Sequence, residues 1–356
     1  MMKKAYILLF TCILLLLPIG HASAEEALTF EDKQLEEAIR KEIDKPSGDL
    51  FKSDVKDITS LDATNERIQN LKGIENLTSL TELRIADNLI SNLAPLETLT
   101  NLKVINASNN KIKDIAPLKD LVKLERLYLS NNQIEKIDDV SLLTKLEVLM
   151  LDDNDIEVIN GINDLKALKN LRIDHNAIEN ISPLKALANL EVIRLNDNEI
   201  SDVTAVSNLA KTKVLSLSNN PISFIGPLGN LTELEVLELS DGKVKELDPL
   251  RSLTKLQVLH LDNNNISDID PLENLEELHE LQLGGNDIDE FAPVESVYDT
   301  LITKDFSLND EEENESTEKG NDESGQGNLL LYVLLGIIIL QTGALFFVLM
   351  NAKKRN

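Results

Sequence analysis

The sequence predicts an α/β repeat solenoid: a curved stack with a parallel concave sheet, an N-terminal helical cap and one C-terminal transmembrane helix. Three observations predict it. A 22-residue period runs without insertion from Thr81 to Thr300, an asparagine recurs in register with it, and Leu329–Met350 is an uncharged stretch of 22 residues.

Each offset of the period has a physical task. Residues 125–146 serve as the type, with aliphatic side chains at Leu127, Leu129, Ile134, Ile137, Val140, Leu143 and Leu146. Leu127-Tyr128-Leu129 reads as a short strand with its leucines inward and Tyr128 outward. One such strand per repeat stacks into a parallel sheet with about 4.8 Å between rungs. The chain must then turn, which leaves backbone groups inside the turn in need of partners. Asn88, Asn110, Asn132, Asn154, Asn176, Asn198, Asn220, Asn264 and Asn286 recur at that place. An amide carries both donors and an acceptor on a short stem, so this column is read as structural rather than ligand-binding. Prolines at 95, 117, 183, 227, 249, 271 and 293 suit the first position of a short helical turn on the opposite side. Strands on one side and helical turns on the other differ in width, so the stack curves with the strands on its concave face.

A solenoid needs covers over its apolar ends. Residues 29–44 read as a cap helix, with Thr29 as its N-cap, Leu35, Ala38, Ile39 and Ile43 as its apolar stripe, and Pro46-Ser47-Gly48 as its stop. The cap region spans 25–58, and a degenerate repeat at 59–80 follows it. Eleven repeats with a C-terminal cover then fill 59–306, with Phe291, Tyr298, Leu301, Ile302 and Phe306 expected over the last rung.

The two ends carry targeting signals. Lys3 and Lys4, an apolar run from Ala5 to Pro18 and the small residues Ala22-Ser23-Ala24 make residues 1–24 a secretory signal peptide. The single cysteine, Cys12, falls within it, so the mature chain is expected to have no disulfide and no thiol chemistry. Residues 307–328 are rich in acidic residues with Gly, Ser and Asn, which reads as an acidic disordered stalk. Leu329–Met350 is long enough to span a membrane, and the basic tail 351–356 with Lys353, Lys354 and Arg355 places the C-terminus in the cytoplasm and the repeats outside.

The formal charge is −27, and it becomes −32 without the five basic residues of the two ends. Such a balance argues against nucleic acid and anionic lipid as partners. Catalysis is not expected either. His175, His260 and His279 stand in no motif that pairs them with a nucleophile, and neither a phosphate-cradling glycine loop nor HExxH occurs.

The outward column of the concave strands reads Arg84, Asn106, Tyr128, Met150, Arg172, Arg194, Ser216, Glu238, His260 and Gln282. Tyr128, Met150, Arg172 and Arg194 fall on consecutive rungs and form a candidate partner-binding patch roughly 15 Å long. Tyrosine, methionine and arginine are enriched at interfaces; they also serve as ordinary sheet-surface residues. Asp174 and His175 join the candidate set at the strand ends, where Asp152, Asp153, Asp197 and Asp262 also gather. Carboxylates on adjacent rungs can hold calcium, although the spacing matches no dedicated loop and solvated charge accounts for it. Val104, Val148, Val192, Val214, Val236 and Val258 form a neighbouring stripe, readable as an exposed partner surface or as simple sheet packing.

The repeat unit, as in NLTSLTELRIADNLISNLAPLETL, resembles the leucine-rich repeat of bacterial internalins and of the phosphatase-regulatory class. FEDKQLEEAIRKEI followed by SDVKDITSLDA is similar to the helical cap that precedes internalin repeats. The resemblance covers about residues 29–300 and implies a right-handed superhelix whose concave face recognises another protein, often in adhesion or host contact. It also suggests a Gram-positive bacterial surface. Three features depart from it: no immunoglobulin-like module follows the repeats, no Leu-Pro-x-Thr-Gly sorting motif precedes the apolar segment, and no binding-residue motif of the family can be matched.

The function expected is therefore that of a membrane-anchored extracellular recognition module without cofactor or metal, its ligand a protein. The alternative is an envelope component holding wall polymer or calcium through its acidic surface. A fold held by its core alone predicts that neither chelator nor reductant lowers the melting temperature; a fall of several degrees with either would refute this.

Overall fold

The same eight or so positions of every repeat turn inward, and the fold follows from that commensurate burial. In the computed structural model, which describes residues 25–308, the strand leucine of each rung (Leu83, Leu127, Leu149, Leu171, Leu215 and their equivalents) is fully buried. Each such side chain contributes about 1.5–3 kcal/mol relative to exposure. The expected signal peptide 1–24, the acidic stalk from residue 309 onward, the apolar segment 329–350 and the basic tail 351–356 lie outside the described residues. Among the described residues no helix is long and apolar enough to cross a membrane.

The strands form one parallel sheet of 12 in sequence order. Its first strand is β1 (Ser60–Asp62), followed by β2 (Glu82–Arg84) and β3 (Val104–Asn106). The middle of the sheet is β4 (Arg126–Tyr128), β5 (Val148–Met150), β6 (Asn170–Arg172), β7 (Val192–Arg194) and β8 (Val214–Ser216). It ends with β9 (Val236–Glu238), β10 (Val258–His260), β11 (Glu280–Gln282) and β12 (Thr303–Lys304). From β1 to β11 every residue pairs with the one 22 places on, as in Tyr128 with Met150. The uninterrupted period is what keeps each outward column straight. Opposite the sheet, each repeat makes a short 3₁₀ turn, and the seven repeat prolines sit at the start of theirs, as Pro95 does in Ala94–Leu96.

The asparagine column joins one repeat to the next. The Asn132 amide donates to the carbonyls of Leu129 (2.9 Å) and Ser130 (3.3 Å) in its own turn and of Ala107 (3.1 Å) in the preceding repeat. Its Oδ1 accepts from the Ile112 N–H at 3.0 Å. Asn88, Asn110, Asn154, Asn198, Asn220 and Asn264 repeat this pattern, so buried backbone groups are satisfied along the stack. One rung lacks it. Gly242 stands in the column, and the Ile222 N–H bonds locally to the Asn220 carbonyl at 2.8 Å instead.

The residue before the ladder asparagine has a left-handed backbone in every repeat from Asp87 to Asn263, with φ between 52° and 59°. Among residues with a side chain, asparagine and aspartate tolerate that conformation best, and His175 (φ 52°) and Gly285 (φ 69°) fill it in two repeats.

The N-terminal cap is helix α1 (Lys33–Glu42), shorter than the expected 29–44. Its cap is Asp32 rather than Thr29. Asp32 Oδ1 accepts from Gln34 and Leu35 N–H at 2.9 and 3.3 Å, while Oδ2 accepts from Gln69 and Asn70 N–H at 2.7 and 3.1 Å. One carboxylate thus caps the helix and fastens it to the degenerate repeat, which a hydroxyl at 29 cannot do. Thr29 and Phe30 instead lie against Gly73 (φ 107°), where a Cβ would meet the Phe30 ring at 2.5 Å. A second short helix, α2 (Lys52–Val55), leads into β1.

At the other end, Phe291 stacks on Phe306 with ring centroids 4.9 Å apart, and Tyr298 meets Phe306 edge-on at 5.8 Å. Leu301 is buried. Ile302, expected in this cover, is 53% exposed; Val294 and Val297, on the turn and on helix α3 (Glu295–Tyr298), fill the core there. β12 breaks the period, pairing Thr303 with Glu280, and so ends the sheet.

Replacing Asn132 by alanine leaves the buried Ile112 N–H without a partner and the Ala107 carbonyl with Asn110 as its remaining donor. A loss of about 2–4 kcal/mol in urea-induced unfolding is expected.

Candidate functional site

The concave face consists of what the strands and the start of each turn present. Register brings Tyr128, Met150, Arg172 and Arg194 side by side on β4, β5, β6 and β7. Three rung spacings make the patch roughly 15 Å long. All four side chains are half-buried.

The valine stripe is not exposed. Val148, Val192, Val214, Val236 and Val258 are all buried, and only Val104 is half-open. The last four make a small apolar cluster separate from the main core. Rungs about 4.8 Å apart bring valines in register into contact along the column. Packing accounts for that column.

The acidic gathering at the strand ends separates into two columns. Asp153 and Asp197 occupy the left-handed turn position with His175, which bridges them exposed in solvent: Nε2 lies 3.2 Å from Asp197 Oδ2 and Nδ1 3.9 Å from Asp153 Oδ1. Backbone conformation explains those residue types. Asp152 and Asp174, each only 7% exposed, belong to a second polar ladder along the concave edge. Ser130 Oγ donates to Asp152 Oδ2 (3.0 Å), and the N–H groups of Asp174 and Asn196 donate to Asp152 Oδ1 (3.3 Å) and Asp174 Oδ1 (2.7 Å). Asn196 Oδ1 then accepts from Ser218 N–H (2.8 Å), Ser218 Oγ from Ser240 N–H (3.1 Å), and Ser240 Oγ donates to Asp262. Sequence reasoning missed this ladder, although its signal was present: a small polar or acidic residue two places before each ladder asparagine from Asn110 to Asn264. Three of the four oxygens of Asp152 and Asp174 already accept hydrogen bonds. Among the described residues no group of three or more His, Cys, Asp or Glu is arranged to hold a metal ion.

Burial and the neighbouring Asp152 charge push the Asp174 carboxyl up to about 6, against opposing pulls from the Asn196 N–H, Arg194 and Arg172. Further along the face, His260 Nε2 lies 2.9 Å from Glu280 Oε1. Burial pulls the His260 ring down, but the Glu280 hydrogen bond and charge, with Glu238 and Asp262, outweigh it and raise its pKa.

The basic side chains divide into paired and unpaired. Arg84 pairs with Glu82 and Asp62, and Lys103, Lys169 and Lys213 pair with Glu125, Glu147 and Glu235 at 3.1–3.2 Å. Arg172 Nε lies 3.6 Å from Asp152 Oδ2, an ion pair too long for a hydrogen bond. Arg194 makes neither hydrogen bond nor ion pair among the described residues. Two hollows lie away from this patch: one of about 400 Å³ beside Asn180 and Asp202, another of about 760 Å³ beside Lys136 and Val158.

A curved stack of strand-and-turn units on an asparagine ladder, with a parallel sheet as its open face, defines a leucine-rich-repeat protein. Residues 100–142, 166–211, 213–252 and 254–293 match the family described as Leucine Rich repeats (2 copies), and 122–178 match Leucine rich repeat. Internalin C2 of Listeria monocytogenes is 30% identical, with a TM-score of 0.57, over 59% of this chain and 94% of that one. An internalin, inlF, of the same organism is 25% identical at a TM-score of 0.61, over 81% of this chain and all of that one. The plant peptide hormone receptor RGFR1, solved in complex with RGF2, shares the fold at 21% identity and a TM-score of 0.57, over 67% of this chain and 46% of its own. No curated protein matches significantly. The chain belongs to the internalin-like leucine-rich-repeat proteins.

The pH dependence of stability follows from the two shifts. Asp174 holds its proton more tightly when folded than its ordinary value of 3.8, so its contribution weakens as pH rises from about 4 through 6. His260 acts in the same direction: its stabilisation is present below the ordinary histidine value and lost as pH rises through the raised one. Asp174→Asn keeps the acceptor for Asn196 N–H without the charge. It is expected to gain about 2 kcal/mol at pH 7.5 and nothing near pH 4; equal gains at both would refute the assignment.

Proposed function

We propose that this protein is a cell-surface recognition module that binds a protein partner on its concave face, through Tyr128, Met150, Arg172 and Arg194. The observation carrying this reading is their alignment on four consecutive rungs, in a face whose other columns are occupied by buried valines and by the polar ladder. An amphipathic ring, a flexible thioether and two guanidinium groups there serve no packing or turning role that the repeat requires. Aromatic residues, methionine and arginine suit protein interfaces. Asp174 and His175 flank the patch: Asp174 sets the charge around the arginines, and His175 closes the turn edge.

The reading extends to where the module stands. Residues 1–24 direct export, 329–350 anchor the chain in a membrane, 307–328 form the acidic spacer between them, and the repeats face outward with the basic tail inside. The family membership supports a bacterial surface. It carries no particular host or partner with it.

Capture from cell-surface and membrane fractions tests this reading. The full chain with Arg172→Glu and Arg194→Glu is expected to lose the captured protein by at least about tenfold while its melting curve stays in place. Undiminished capture refutes the placement. Retention of wall polymer or calcium with no protein favours the envelope-component alternative.

A further inference from the structure

The chain has 62 acidic residues against 35 basic ones, so any surface arginine has carboxylates to choose from. On the concave face Lys103, Lys169 and Lys213 each hold a glutamate, and Arg84 holds Glu82. Arg172 and Arg194 do not take one fully. They sit in register on adjacent rungs, Arg194 with no hydrogen bond or ion pair and Arg172 with its one acid too distant to accept a hydrogen bond. The nearby acids are engaged elsewhere, Asp152 with Ser130 Oγ and Asp174 N–H, and Asp174 with Asn196 N–H.

A second observation comes from the rung beyond. Ser216 is in register with Arg194 and 0% exposed, and its Oγ has no hydrogen-bond partner. Arg172 Nε, also buried, has none. Orphaned polar atoms are rare in folded proteins, because each carries the cost of leaving water without a replacement. Here they lie in one column on the rungs either side of Arg194, and that column holds two guanidiniums able to donate in a fork. An anionic group with two oxygens meets that geometry, and a carboxylate has the matching plane.

We propose that Arg172 and Arg194, with Ser216 beside them, seat a carboxylate of the partner polypeptide, either an aspartate or glutamate side chain or a free C-terminus. The seat rests on the concave-face reading and gives it a chemistry. Selectivity is built in: a chain of net charge −27 repels acidic ligands from most of its surface and holds one only where two arginines stand together.

Fluorescence anisotropy on the full chain in detergent micelles tests this with three labelled probes: C-terminally amidated oligoglutamate, oligoglutamine with a free C-terminus, and amidated oligoglutamine. Binding of the first identifies a side-chain carboxylate and binding of the second a terminal one, with the third unbound in either case. Arg172→Gln with Arg194→Gln is expected to weaken the bound probe by about tenfold or more, with the melting curve unchanged. Arg126→Gln, two rungs from β6, is expected to leave it in place. Failure of the folded wild-type chain to bind either carboxylate probe overturns the seat. So does an equal loss with Arg126→Gln, which signals general charge. Tyr128→Ser with Met150→Ser separates the two readings. If this pair abolishes capture of the partner while the carboxylate probes fail, the face is confirmed and the seat alone falls.

Discussion

The structure depends on one side-chain amide per repeat. Asn132 holds three carbonyls and one N–H, and those four groups belong to two different repeats. Each turn is therefore closed only when its neighbour is in register, which makes the spacing of the repeats a hydrogen-bonding condition as well as a packing one. The interruption at Gly242 shows what the ladder supplies. There the Ile222 N–H falls back on a carbonyl of its own turn, and the two repeats are joined without an amide, by the sheet, the leucines and bonds such as Ser240 N–H to Ser218 Oγ and Lys243 N–H to the Ile222 carbonyl.

With turn, core and register spoken for, few positions remain at liberty to vary. The second ladder through Asp152, Asp174, Asn196 and Ser218 takes one column of the concave edge, and the buried valines take another. Between them runs the column containing Tyr128, Met150, Arg172 and Arg194, whose side chains are set neither by a turn nor by the core. A solenoid of this kind separates structure from recognition by column. The scaffold repeats, and one strip of it carries individual residues.

Electrostatics acts along the same columns. Aspartates spaced 22 residues apart become neighbours one rung apart, so Asp152 raises the proton affinity of Asp174 although the two are distant in sequence. Glutamate and lysine at the strand edge use the same spacing to opposite effect, as in the pairs of Glu147 with Lys169 and Glu235 with Lys213. These exposed pairs contribute little to stability, but they fix which basic groups remain available on the face.

The sequence by itself determined the period, the strands, the leucine core, the asparagine ladder and the alignment of the four candidate residues. Each of these is stated many times over, and a period that never slips fixes register without any knowledge of distance. Tertiary structure decided what occurs once or depends on neighbouring lengths. Asp32 rather than Thr29 caps α1, because only a carboxylate reaches both the helix start and the backbone at 69–70. Val294 and Val297 rather than Ile302 close the far end, where β12 leaves the period. The valines are buried where those on successive rungs pack against one another in register, and His175 stands at its turn because the backbone there is left-handed. Whether an arginine has a partner is likewise a matter of reach across rungs, which spacing along a chain does not record.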